Sequence, residues 1–587
     1  MPLPSQLTHA LRFFSLPNLD SRLSAPTSNP TKLQQIQSKA GVNRWTTLEF
    51  KFYWICFLIV VPYMYYCAID LSSETNVDNY PRFSRLLTQG WMFGRKVDNS
   101  DSQYRFFRDN FPLLSVLMFA HVGLRKGVKC LIPNLTRKTF DFWFGLVFLV
   151  AVHGVNSFKV LFHVMIMFAI ARLFQTKYKI AVLLLWSYGI TTLFLNDRYR
   201  NIKLAEVVHP ALSFLDPGFK GIVSRWDVFY NFTLLRSLSF NLDFLNRTDE
   251  IKMAESKKDE ELKSPTPNNS NSTASLNDFS QKLILEERDR MNASLDITTY
   301  SLINYFSYLT YAPLFIAGPV LTFNDFHIQS FMPLPSINLQ RTALYAARFL
   351  FCVLVMEFLL HFIYVVAISK THAWINSTPF QISMIGLFNL NIIWLKLLIP
   401  WRFFRLWALL DGIDPPENMI RCMDNNYSAL SFWKGWHRSF NKWVVKYVYI
   451  PLGGQGNRLL ASLAVFTFVA VWHDIELKLL IWGWLVVLFI MPEYFLSSYF
   501  RKYHSQNWWY RHLCAIGGVL NVWLMMIANL YGFCLGNDGT KALLYEMFCT
   551  SSGLSYFLVA NFALFIAVQV MFELREDEKR RGIDVKC

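Results

Sequence analysis

Residues 52–69, FYWICFLIVVPYMYYCAI, form an uninterrupted apolar run without a charged side chain. A helix of about 20 such residues crosses the roughly 30 Å hydrocarbon layer of a bilayer. Similar runs recur along the 587-residue chain, which is 53% hydrophobic and 17% charged, whereas soluble proteins carry about 25% charged residues. The sequence therefore predicts an all-α, polytopic transmembrane protein.

These runs predict about ten to twelve membrane helices, some of them tilted, re-entrant or longer than the apolar run itself. The candidate spans are Phe52–Ile69, Phe111–Leu124, Phe140–Val155, Phe158–Phe174, Ile180–Leu195, Tyr300–Val320, Ala343–Ile368, Ile382–Leu410, Leu459–His473, Leu477–Tyr494, Leu513–Phe533 and Tyr556–Phe572.

The composition between these spans predicts five segments. Residues 1–45 and Arg247–Gln281 are rich in Ser, Asn and Pro or in charge and hold few large apolar residues, so we expect a disordered arm and a disordered loop there. They flank a first transmembrane block at 46–246, and a second transmembrane block follows at 282–574. Residues 575–587 form a charged C-terminal tail.

The net charge of +16 does not indicate nucleic-acid binding. The basic residues lie mainly in the tails and between spans, where they fit the positive-inside bias of membrane proteins. The nine cysteines include no CxxC pair, so neither a disulfide framework nor structural zinc is expected.

Two histidines are distinguished from the other ten by their surroundings. His437 lies in SFWKGWHRSFNKWVVKYVYIPLGG (431–454) and His473 in FVAVWHDI (468–475), and each directly follows a tryptophan. A neutral imidazole in an apolar pocket can act as a base, and a second polar group can stabilise developing charge. The residues alone also allow a metal site, a proton relay in a transporter, or a purely structural pair.

These two stretches resemble the signature of the membrane-bound O-acyltransferase (MBOAT) family, which has an Asn, Asp or His in an aromatic-basic stretch and then a His at a helix end. The segments 405–443, AVHGVNSFKVLFH (151–163) and YLTYAPLFIAGPVLTFNDF (308–326) are similar to the fungal subgroup related to Hedgehog acyltransferase. The resemblance implies a helical MBOAT fold around an acyl tunnel, in which a fatty acyl group passes from acyl-CoA to an acceptor.

The resemblance also implies roles for individual residues. His473 matches the catalytic histidine, and His437 takes the second position. Asn529 matches an asparagine near the thioester carbonyl. Trp433 and Lys434 match a pair that contacts CoA; Lys434 stands where Hedgehog acyltransferase has arginine. Cys422 matches a haem-ligating cysteine, which leaves haem binding open, and no metal is expected.

Further basic residues are expected at the mouth of the tunnel. CoA is anionic, so Arg402, Arg405 and Arg438, like Lys434, are candidates for binding it, although snorkelling at the membrane interface is an alternative.

The resemblance to the fungal subgroup implies an acceptor and a location. It implies transfer of a very long acyl chain to the sn-2 hydroxyl of a lyso-glycosylphosphatidylinositol (lyso-GPI) anchor in the endoplasmic-reticulum membrane, with the plasma membrane as a second location. The partners implied are acyl-CoA, lyso-GPI or another lysolipid, and membrane lipids. A glycerol or polyol uptake transporter, or its regulator, is the alternative; the absence of visible inverted repeats counts against it.

Overall fold

The computed structural model describes residues 16–23, 30–207, 209–214, 221–223, 225–261, 287–500, 508–583 and 585. Within these residues, nine helical stretches are long and apolar enough to cross a membrane, and a tenth, Arg458–His473, is shorter. The nine are Leu48–Leu71, Ser102–Leu131, Arg137–Leu173, Tyr178–Tyr199, Leu339–Phe362, Pro379–Leu410, Leu477–Phe500, Trp509–Cys534 and Ser551–Arg580. The predicted all-α polytopic architecture is confirmed.

The remaining regular structure is short, apart from one long helix, and almost all of it is helical. One two-stranded antiparallel ribbon pairs Leu87–Gln89 with Lys96–Asp98. The other helices are Leu16–Leu19, Pro30–Gln37, Tyr80–Phe83, Leu204–Val207, Trp226–Glu261, Glu287–Met291, Leu302–Leu309, Ala312–Phe315, Phe323–Phe331, Val365–Thr371, Ala429–Gly435, Arg438–Val444 and Gly536–Cys549, with 3-10 turns at Ser21–Leu23, Ser84–Leu86, Gly154–Asn156, Pro210–Phe214 and Ile297–Thr299 and π-helical turns at Val445–Tyr449 and Leu530–Cys534.

The outer helices turn apolar side chains outward. On Leu48–Leu71, which begins at an N-cap formed by Thr47, Leu58 and Ile59 are 67% and 64% exposed. Large apolar side chains are exposed in this way when the surrounding solvent is lipid rather than water. Helix Pro379–Leu410 is by contrast mostly buried and lies at the centre of the bundle.

The longest of the nine stretches is interrupted. Arg137–Leu173 consists of helices Arg137–His153 and Ser157–Leu173, joined by a 3-10 turn that starts at Gly154. Gly154 has φ 55°, ψ −132°, a conformation that only glycine adopts without strain. Two helices were expected here, and two are present.

The predicted span Tyr300–Val320 is wrong. It contains two short buried helices, Leu302–Leu309 and Ala312–Phe315. Irregular backbone is tolerated at membrane depth when other protein groups form hydrogen bonds with its free N–H and C=O groups. The buried Arg236 guanidinium does so, donating to the carbonyls of Leu309 and Leu314.

Helix Trp226–Glu261 was not predicted as an element. It extends 15 residues into the expected disordered loop, so residues 247–261 are helical where their composition predicts disorder. Arg247 there donates to the Leu295 carbonyl at 2.9 Å. The rest of the predicted loop, 262–281, lies outside the described residues.

The predicted arm and tail are also ordered where the structure describes them. In the arm, helix Leu16–Leu19 is followed by the 3-10 turn Ser21–Leu23. The Leu23 side chain is fully buried. Helix Ser551–Arg580 carries the expected tail through residue 580. Ion pairs that composition does not reveal hold these segments; for example, Arg421 pairs with Glu578 of that helix.

Candidate active site

A cavity of about 1450 Å³ lies between the central helix and the helices of the C-terminal half. Its walls come mainly from Ser102–Leu131, Trp226–Glu261, Pro379–Leu410, Arg458–His473 and Leu477–Phe500. Most of the lining side chains are aromatic or aliphatic, which suits an acyl chain. Both histidines of the motif face this space.

His473 is the last residue of helix Arg458–His473. Its side chain is exposed to the cavity, and the described part of the chain offers its imidazole no hydrogen-bond partner. The preceding residue is clamped: Asn231 donates to the Trp472 carbonyl at 2.7 Å, and the Trp472 indole N–H donates to the Asn231 carbonyl at 3.0 Å. The helix end that carries His473 is therefore fixed in place.

The His437 backbone adopts a left-handed conformation, with φ 51° and ψ 52°. Such a conformation is unfavourable for a residue with a side chain and persists where the surroundings impose it. The next two backbone amides impose it here. Arg438 N–H donates to the Asn418 carbonyl at 3.0 Å, and Ser439 N–H donates to Asn418 Oδ1 at 3.1 Å.

The His437 ring lies between aromatic groups. It stacks on Trp401 with ring centroids 4.3 Å apart and on Phe440 with centroids 5.1 Å apart. The residue is 5% exposed. Its Nε2 is buried and has no hydrogen-bond partner among the described residues. A buried nitrogen without a partner is uncommon in folded proteins, and the His437 side chain that carries it borders the cavity.

Trp472 links the two histidines. Its ring centroid is 6.4 Å from that of His437 and 4.8 Å from that of His473. The structure thus brings together two imidazoles that are 36 positions apart in sequence, on the same apolar cavity.

Lys434 and Trp433 lie on the short helix Ala429–Gly435, and both line the cavity. The Trp433 ring packs edge-on against Trp482 at 5.2 Å. Lys434 is exposed, and within the described ranges no carboxylate pairs with its ammonium. Lys434 also borders a smaller cavity of about 270 Å³, whose lining includes Arg421 and Arg575.

The other cations of the large cavity already have partners. Arg225 forms a two-pronged pair with Asp227, the closest contact being 2.7 Å. Lys396 pairs with Asp101 at 2.7 Å. Arg458 donates to a backbone carbonyl at 3.2 Å. Lys434 is therefore the cavity lysine best able to meet an incoming anion.

Arg402 and Arg405, predicted to bind acyl-CoA, do not line the cavity. Arg402 Nε lies 3.1 Å from Glu417. Arg405 is 1% exposed and pairs with Asp414 at 2.9 Å and with Glu417 at 3.1 Å. Buried guanidinium groups need such partners, so the structure assigns both arginines to packing of the loop that follows the central helix.

Asn529 is also absent from the cavity lining. Its amide donates to the Met525 carbonyl of its own helix at 2.8 Å, and the predicted contact with a thioester is not supported by this position. Cys422 is exposed and lines neither cavity. The Asp424 carboxylate lies 3.8 Å from the Cys422 thiol and disfavours the thiolate form that binds metal ions, so we derive no step through haem.

No cluster of three or more His, Cys, Asp or Glu side chains that could hold a metal ion occurs in the part of the chain that the structure describes. The motif histidines are instead available for proton transfer and hydrogen bonding. Asn231 and Asn418, which orient them, were not singled out from the sequence. The only signal for Asn231 was a polar amide among apolar neighbours.

The chain is similar to known membrane-bound acyltransferases. The model of the membrane-bound O-acyltransferase family matches residues 180–537. The chain is 57% identical over 569 residues to the membrane-bound O-acyltransferase GUP1 of Saccharomyces cerevisiae, covering 97% of both chains. It is 53% identical over 588 residues to the GUP1 of Candida tropicalis, covering 99% of this chain and 96% of the relative.

A more distant relative is the protein-cysteine N-palmitoyltransferase HHAT of Mus musculus. It is 29% identical over 187 residues, which cover 30% of this chain and 37% of the relative. Similarity to acyltransferases thus extends from full-length fungal relatives to part of an animal enzyme. The chain belongs to the membrane-bound O-acyltransferase family and is a multi-pass membrane acyltransferase.

Proposed function

We propose that the enzyme transfers a very long fatty acyl group from acyl-CoA to the sn-2 hydroxyl of a lyso-GPI anchor. The observation that carries the chemistry is the pair His437 and His473 on one large apolar cavity that also exposes Lys434. The acceptor follows from the resemblance of the motif segments to the fungal subgroup, as does the location in the endoplasmic reticulum.

The two parts of acyl-CoA, its acyl chain and its phosphates, fit different residues of the cavity. The aliphatic and aromatic walls suit the acyl chain, whose burial contributes about 0.8 kcal/mol per CH₂ group. CoA carries phosphates, and Lys434 offers them an ammonium without a carboxylate partner in the described residues. The neighbouring Trp433 supplies an aromatic wall beside it.

The two histidines have different roles in the reaction. His473 takes the proton of the acceptor hydroxyl while its oxygen attacks the thioester carbonyl. His437 donates a hydrogen bond from its imidazole to the oxyanion that forms; we assign it this contact because its side chain borders the cavity and its Nε2 has no partner among the described residues. The C–S bond then breaks, and CoA leaves as the thiol after taking the proton from His473.

Transfer is direct in this scheme. Both substrates share the cavity, and the hydroxyl oxygen of the acceptor itself forms the new ester bond. Fixing the two reactants in one cavity lowers the entropic cost of their encounter.

The acceptor can be tested with purified protein and radiolabelled hexacosanoyl-CoA. Lyso-GPI-anchored protein and lysophosphatidylinositol are offered separately, and phospholipase A₂ releases any label at sn-2. We expect label on the lyso-GPI and its release by the lipase. Transfer to lysophosphatidylinositol alone, or label resistant to the lipase, would contradict the assigned acceptor position.

A further inference from the structure

The N-terminal segment Leu16–Leu23 is inserted beside the turn that carries His437. Asp20, at the middle of this segment, is fully buried. Its Oδ2 accepts hydrogen bonds from Arg438 Nη1 and from the backbone N–H of Glu417, both at 3.0 Å. Its Oδ1 accepts from the backbone N–H and the guanidinium of Arg22, at 3.1 and 3.0 Å.

These contacts hold two chain segments that fix His437. Arg438 directly follows His437. Glu417 directly precedes Asn418, whose carbonyl and side-chain oxygen accept the backbone amides of residues 438 and 439. The Asp20 carboxylate therefore ties together both sides of the left-handed turn at His437.

A second contact anchors the same segment. The Leu19 carbonyl accepts a hydrogen bond from Arg405 Nη1 at 2.9 Å. Arg405 also pairs with Glu417 and Asp414. Without the N-terminal segment, Arg438 would lose its carboxylate partner in a buried setting, which is unfavourable for a charged group.

Because the backbone at His437 is left-handed, its conformation depends on the contacts that Asp20 makes. A histidine does not hold φ 51° by its own preference, and the ring keeps its place at the cavity wall between Trp401 and Phe440. Loosening the Asp20 contacts would let the turn relax toward ordinary backbone angles and would move the imidazole away from the reacting carbonyl.

We propose that Asp20 is a positioning residue that holds the turn at His437 in its productive conformation, so the N-terminal arm completes the active site. The proposal rests on the proposed function, because it gives the position of His437 a role in catalysis. Lys434 lies on a separate short helix with no contact to Asp20. Losing the Asp20 contacts should therefore lower kcat and leave the KM for acyl-CoA unchanged.

Asp20→Asn and Asp20→Glu test this in full-length protein purified in detergent. Asp20→Asn removes the charge, and Asp20→Glu keeps it but displaces the carboxylate by one CH₂ group. Small misplacements near reacting groups cost about 10²-fold in rate, so we expect losses of about tenfold to a hundredfold in kcat. Membrane abundance and the elution profile report folding, and Asp20→Glu decides the matter if Asp20→Asn fails to fold.

Glu357→Gln is the matched control. Glu357 is 5% exposed, pairs with Arg108 at 2.7 Å and accepts the indole N–H of Trp91 at 2.9 Å. It too is a buried carboxylate that ties distant segments together, but neither it nor these partners contact His437. Its loss should lower thermal stability and leave kcat near the wild-type value.

The decisive comparison repeats the Asp20 substitutions in His437→Ala protein. If Asp20 acts through His437, its substitution should lower kcat only when the imidazole is present, because effects on one shared function are not additive. Wild-type kcat in folded Asp20→Asn and Asp20→Glu proteins, or an equal loss with and without His437, would overturn the proposal. Failure of the wild-type protein to transfer any acyl group would instead refute the proposed function, and the role of Asp20 with it.

Discussion

His437 presents an imidazole where the family resemblance allows asparagine, aspartate or histidine. His437→Ala removes the proposed oxyanion donor, and loss of one such donor costs about 10²–10³ in kcat. His437→Asn should retain more activity, because an amide can donate a similar hydrogen bond. The measurement is kcat at saturating acyl-CoA, with abundance in the membrane checked for each variant. An equal loss in both variants would point to proton transfer that only an imidazole can perform.

A substitution at Lys434 distinguishes acyl-CoA binding from the chemical step. Lys434→Glu replaces attraction by repulsion at the proposed CoA site, so the KM for acyl-CoA should rise by about tenfold or more while the KM for the lipid acceptor stays nearly constant. Lys126→Glu is the matched control, because Lys126 is also exposed but lies outside the cavity lining. Equal KM values for acyl-CoA in the two variants would move the CoA site away from Lys434.

The sequence predicted some of these residues better than others. Trp433, Lys434, His437 and His473 occupy two short motifs, and all four line one cavity. Arg402 does not line the cavity with them, because a basic residue near a motif does not reveal its partner. That partner, Glu417, is brought to it by the loop that follows the central helix.

At the scale of elements, helix Trp226–Glu261 shows why hydropathy alone does not predict every buried helix. Its buried half contains charged and amide groups such as Arg236 and Asn241, so its average hydropathy resembles that of a surface segment. These groups have partners inside the protein: Arg236 donates to the Leu309 carbonyl in the broken segment, and Asn241 Nδ2 donates to the Ser237 carbonyl. Such pairing depends on tertiary structure and leaves no periodic signal in the sequence.

The segment after this helix gives a prediction at the same scale. Residues 262–281 contain few large apolar side chains that could contribute to a core. Replacing them with a short Gly/Ser linker should preserve kcat and protein abundance. Replacing 247–261 as well should lower abundance, because that part is helical and Arg247 bonds to Leu295. Loss of activity at normal abundance in the shorter replacement would reveal a binding or gating role for 262–281.

At the scale of the molecule, the distribution of side chains is the reverse of that in a soluble protein. Leu558 on an outer helix is 71% exposed, whereas Asp411 and Arg405 in the interior are 0% and 1% exposed. The apolar exterior was predictable from the sequence, because each span is a local run of residues. The interior network was not, since it joins the arm at Asp20 to residues some 400 positions away.

The most direct test of the account is to reconstitute purified wild-type and His473→Ala proteins in liposomes and to measure two activities in each. The first is acyl transfer from hexacosanoyl-CoA to lyso-GPI, and the second is glycerol flux. We predict acyl transfer by the wild-type protein, its loss in equally abundant His473→Ala protein, and no glycerol flux above protein-free liposomes in either. Glycerol flux without acyl transfer in the wild-type protein, or full acyl transfer by His473→Ala, would contradict a base-catalysed acyl transfer at His473.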